Sequence, residues 1–79
     1  MIKVTKVVPL KNGILEVSLS DGRSGLFDIK PYCISDFFKE LLDDEYFRKA
    51  SVFFSGIGWP NGQDIGPDTI SHEIKSLGV

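Results

Sequence analysis

Seventy-nine residues, 42% of them hydrophobic and 25% charged, with six Phe for packing, suffice for one small folded domain and are too apolar for a disordered chain. The formal net charge of −2 offers no strongly basic cluster for a polyanion, and the single cysteine, Cys33, has no partner for an internal disulfide, which fits a reducing compartment. No run approaches the roughly 20 apolar residues that span a bilayer, and Met1-Ile2-Lys3-Val4-Thr5-Lys6 lacks the apolar core of a signal peptide, so a cytoplasmic protein without a membrane role is expected.

The charge is unevenly spread. Residues 1–30 carry five Lys/Arg against three Asp/Glu, and residues 31–79 carry four against eight. Solvated faces account for so mild a bias.

In chain order, the first half reads as a three-stranded meander. Ile2 to Val8 interleaves β-branched residues with Lys3, Thr5 and Lys6, and Pro9 interrupts pairing, which are the marks of an edge strand. Asn12-Gly13 tolerates the positive φ of a type I′ turn. From Ile14 to Ser20, Leu15, Val17 and Leu19 alternate with Glu16, Ser18 and Ser20, the pattern of a half-buried antiparallel strand. Asp21-Gly22 suggests a second turn of the same kind. The third strand, Arg23 to Ile29, sets Gly25, Phe27 and Ile29 against Ser24, Leu26 and Asp28.

Lys30-Pro31 ends the meander, and the period changes. Ile34, Phe37, Phe38 and Leu41 make an apolar helical stripe over Ile34–Leu42. Asp43 reads as an N-cap, with Asp44 and Glu45 suiting the helix dipole, so a second helix is expected over Asp43–Ala50, separate or continuous with the first. Ser51 to Ser55 is a fourth strand, Gly56 a turn or bulge, and Ile57 and Trp59 share a face of a fifth. Pro60-Asn61-Gly62 makes a turn. Gly66 caps and Pro67 opens a final helix running to Leu77, with Ile70, Ile74 and Leu77 on its apolar face and Gly78 past its end. The expected fold is a single α+β domain: a mainly antiparallel five-stranded sheet, meander plus hairpin, with two to three short helices on one face.

Four phrases together resemble one family. They are Leu19-Ser20-Asp21-Gly22, Phe27-Asp28-Ile29-Lys30-Pro31, Asp43-Asp44-Glu45-Tyr46-Phe47, and Trp59-Pro60-Asn61-Gly62-Gln63-Asp64-Ile65-Gly66-Pro67-Asp68-Thr69-Ile70. They resemble the bacterial domain-of-unknown-function family numbered 2442 over nearly the whole chain. The resemblance implies a small α+β domain with no established activity. Such domains occur alone or fused to a helix-turn-helix domain, and the lone ones often lie beside a second small protein in a toxin–antitoxin-like arrangement. Gly66 stands where a serine-like cap is common, and Ser71-His72 where an aromatic often follows. No helix-turn-helix is expected within these 79 residues, so the fusions' DNA-binding role is not carried over to them.

The candidate partner- or ligand-binding residues are Trp59, Asn61, Gly62, Asp64 and Asp28. Trp59 either anchors a recognition surface, as tryptophans often do, or closes one end of the core. Asp64 is either a functional carboxylate or the acceptor of a backbone N–H across its turn. Asp28 either meets a partner or pairs with a lysine. His72, the one side chain with an ordinary pKa near neutrality, falls on the exposed side of the last helix. Cys33 is a buried spacer or a helix-start thiol.

One His and one Cys do not build an ordinary zinc site. Walker-type and Gly-x-Gly-x-x-Gly loops are missing, and Gly22-Arg23-Ser24-Gly25 falls one residue short of a nucleophile elbow. The expectation is a protein with no catalytic residues, metal or cofactor: a non-enzymatic interaction module, antitoxin-like, with a small protein partner or a second copy of itself. The alternative is a small-ligand sensor using the Trp59–Asp64 turn. A third reading, nucleic-acid binding through Lys3, Lys6, Lys11 and Arg23, has the weakest basis for this chain alone.

Overall fold

Turn chemistry dictates the first half of the fold. In the computed structural model, which describes residues 1–76, β1 (Val4–Pro9), β2 (Ile14–Leu19) and β3 (Ser24–Asp28) form the expected antiparallel meander. Asn12 and Gly13 have φ of 61° and 71°, and the Ile14 N–H donates to the Lys11 carbonyl, which closes a type I′ turn. The second turn differs from the expectation. Only Gly22 is left-handed there; its N–H donates to Leu19 (3.1 Å) and the Leu19 N–H to Arg23 (2.8 Å). That is a three-residue loop, a type I turn closed by a left-handed residue. Leu15, Val17, Leu19, Phe27 and Ile29 are buried, as their alternation requires. Pro9 does not interrupt pairing; as the last residue of β1 it stands opposite Leu15 on an edge strand.

The single five-stranded sheet is not what forms. The described residues hold a four-stranded sheet in the order β1-β2-β3-β7 and a three-stranded one in the order β4-β5-β6. Here β4 is Ser51–Phe53, β5 is Gly56–Gly58, β6 is Asp64–Ile65 and β7 is Lys75–Ser76. The fourth strand stops two residues early because Phe54 and Ser55 turn back with φ of 46° and 70°. Gly56 is therefore neither turn nor bulge but the first residue of β5. A Cβ there would stand 2.2 Å from the Ile65 carbonyl oxygen, so only glycine lets β6 come this close. A single backbone bond, Val4 N–H to Ser55 carbonyl (2.8 Å), ties the hairpin tip to the start of β1.

The helices are shorter than their stripes suggested. α1 spans Asp36–Lys39, capped by the Ser35 hydroxyl accepting from the Phe38 N–H (3.2 Å), and continues as a 3-10 turn over Glu40–Leu42. Ile34 precedes that cap, so it lies outside the helix and is 83% exposed; of the stripe only Leu41 is buried and Phe38 half-buried. α2 spans Asp44–Phe47 with Asp43 as its N-cap, as expected. The extended Asp43 (ψ 116°) makes it a separate helix.

α3 spans Pro67–Glu73 with Gly66 as cap and Pro67 first, also as expected. It ends before Ile74, whose backbone turns extended (ψ 147°) and feeds β7 onto β3. The expected contribution of Leu77 and Gly78 to this helix lies outside the described residues. One continuous core joins both sheets and all three helices: Leu15, Val17, Phe27, Leu41, Phe47, Ile57, Trp59 and Ile70 are among its members.

Candidate functional site

The Trp59–Asp64 segment is a hairpin loop built like the one at Asp21-Gly22. The Gly62 N–H donates to the Trp59 carbonyl (3.0 Å) and the Trp59 N–H to Gln63 (2.9 Å). Pro60 presets the first central position, and Gly62, at φ 104°, takes the left-handed one that a side chain would strain. This geometry turns Trp59 inward. Its ring stacks on Phe47 (centroids 6.1 Å apart), and its indole N–H donates to the Phe47 carbonyl (2.9 Å). At 5% exposure Trp59 is part of the core.

Asn61 and Gln63 are bound into the same framework. The Asn61 backbone N–H donates to the Tyr46 hydroxyl (2.8 Å), which donates in turn to the Gln63 side-chain carbonyl (2.6 Å). The Gln63 amide donates to the Phe37 carbonyl and to Glu40 Oε1, both at 2.9 Å. The Asn61 amide spans both Glu40 oxygens, at 2.9 and 2.8 Å. These donors, Asn61 first and Gln63 second, hold the Glu40 carboxyl below the ordinary glutamate range. Among the described residues Gln63 is the one fully buried polar side chain, and its side-chain bonds are all long-range in sequence. The sequence reading passed over Gln63, Tyr46 and Glu40, because no local pattern joins residues 17 to 26 apart.

Asp64 is exposed on β6 opposite Gly58, and among the described residues its side chain accepts no hydrogen bond across the turn. Asp28 lies at the end of β3, far in sequence from the loop, and is paired with a lysine. Its Oδ1 accepts from the Lys30 N–H (2.9 Å) and meets the Lys30 ammonium at 2.9 Å. Partial burial would raise its pKa, but the two Lys30 contacts outweigh it and leave the carboxyl below its usual range. Cys33 is a buried spacer; its thiol donates to the Ile29 carbonyl (3.5 Å), and burial raises its pKa away from the reactive thiolate. His72 is exposed on α3.

The surface that stands out is elsewhere. Val52, Phe53 and Phe54 are all exposed, Phe54 at 87%, although neighbouring residues of a strand point to opposite faces. β4 thus leaves both faces about half exposed, with the Phe53 ring lying over Gly58. Phe53 and Phe54 meet edge-to-face at 4.5 Å. Phe54 also holds a left-handed backbone that a bulky residue seldom adopts. Two costs coincide at one residue: apolar area left in water and a strained turn. No local pattern announces this, because Val-Phe-Phe reads as an ordinary buried strand.

A family model described as "Protein of unknown function (DUF2442)" matches residues 4–76. No curated protein and no solved structure matches the chain.

Proposed function

The chain belongs to the DUF2442 family, and from that premise we propose that it is a non-enzymatic protein-interaction module of the cytoplasm, the antitoxin-like member of a two-protein pair, which meets its partner through the β4–β5 hairpin. The observation that supports this reading is the aromatic tip, Phe54 almost fully exposed and Phe53 half exposed, beside a half-exposed Val52. A contiguous exposed apolar patch on a small domain is characteristic of an interface, and aromatic anchors supply much of the energy in one. The Trp59 loop is the weaker candidate, since Trp59, Asn61 and Gln63 are already engaged by the protein's own groups.

The test is affinity capture of the tagged protein from its host extract, after nuclease, beside a Phe53→Ser/Phe54→Asn double variant. The expected result is a stoichiometric small protein held by the parent and lost by the variant, with both showing the same circular dichroism. A parent that comes out alone, or a variant that keeps the same partner, removes the reading.

A further inference from the structure

We propose that the groove where the β1–β2 turn packs against α2 is a binding site for a small amphipathic monocarboxylate. The groove is half open to solvent and has a volume of about 470 Å³, within the size range of small-ligand sites. Leu42, more than half exposed, is its apolar wall, with Leu41 and Phe47 buried behind it. Its polar lining inverts the sign of the whole chain: Lys11, Lys30 and Arg48 face one acid, Asp44, in a protein of net charge −2.

The three cations are not equivalent. The Lys30 ammonium is held by Asp28 and by the Asn12 carbonyl. Arg48 reaches Asp44 through Nε alone (2.8 Å), so its two terminal nitrogens have no partner among the described residues. Lys11 has no ion-pair partner among them either. Two open cationic donors beside an apolar wall suit a carboxylate on a short hydrocarbon chain. The Arg48 fork takes the two oxygens, Lys11 adds charge, and the chain lies against Leu42, the exposed apolar side chain of the groove. Asp44 on the same groove disfavours a ligand with a second negative charge.

The inference does not rest on the partner reading, and neither falls with the other. The probe is hexanoate titrated into isotope-labelled protein and followed by amide chemical shifts, with hexan-1-ol and acetate as tail-only and charge-only controls. Saturable shifts at Gly13, Leu42 and Arg48 are expected with hexanoate, and much weaker ones with either control. Arg48→Gln should weaken binding about tenfold, whereas Lys49→Gln, which changes a neighbouring charge outside the groove, should change it less than about twofold. Shift dispersion reports whether each variant is folded. The site is refuted if hexanoate gives no saturable shift below ~20 mM, if hexan-1-ol binds as tightly, or if folded Arg48→Gln binds like the parent.

Discussion

Tyr46 links α2 to the Trp59 loop through a single hydroxyl that both accepts and donates. In a dry setting such a relay strengthens each of its bonds, and losing one member strands the others. Tyr46→Phe should therefore cost about 1–3 kcal/mol in urea unfolding, because the Gln63 carbonyl and the Asn61 N–H lose their partner together. A loss within error of zero would show that water replaces the hydroxyl. Glu40 behaves differently, being exposed but triply bonded. Its pKa is depressed on folding, so its stabilising contribution is complete above the ordinary glutamate range and is lost as pH falls through the lowered value. The stability gap between the parent and Glu40→Gln should be widest near neutrality and close on acidification below about pH 4; a gap constant from neutral to acid pH would sink the assignment. None of this was legible in the sequence. Trp59 drew attention there as the single tryptophan, while the buried glutamine bonded to its backbone looked like a loop residue.

Among the elements, legibility followed how local the signal was. The meander could be read because Asn12-Gly13 and Asp21-Gly22 carry their turn chemistry with them, and α3 because Gly66-Pro67 does. The hairpin turn at Phe54-Ser55 could not, since neither residue favours positive φ. The helix stripe from Ile34 failed for a related reason: Ser35 is the cap, and a periodicity count does not see where a helix begins. β6 and β7, two residues each, exist only because β5 and β3 are there to receive them. Two substitutions measure these features. Phe54→Asn, which tolerates the left-handed backbone, should leave the protein as stable as the parent or about 0.5–1 kcal/mol more stable in thermal melts. A clear loss would mean that the Phe54 ring supports the fold. Gly56→Ala should cost more than about 2 kcal/mol, because β6 must move to admit the methyl group.

At the scale of the whole molecule, a radius of gyration of 11.6 Å and one shared core leave little room for two sheets to act independently. Trp59 and Ile57 belong to the smaller sheet's segment, Leu15 and Phe27 to the larger, and all four are buried in the same cluster. Tryptophan fluorescence and far-ultraviolet circular dichroism should therefore report one coincident unfolding transition. Separated midpoints would show that the β4–β6 sheet melts alone.

The two loops of identical construction have different surroundings. At Gly62 an added side chain would touch the Phe37 ring, 3.6 Å away, while at Gly22 it would meet nothing within 4 Å. The same backbone shape thus has a crowded glycine in one place and an open one in the other. An insertion next to Gly22 would extend into solvent at little loop-closure cost, provided that it keeps Ser20, which bonds Lys3, and Asp21, which holds the Arg23 side chain that reaches Ser71 on α3.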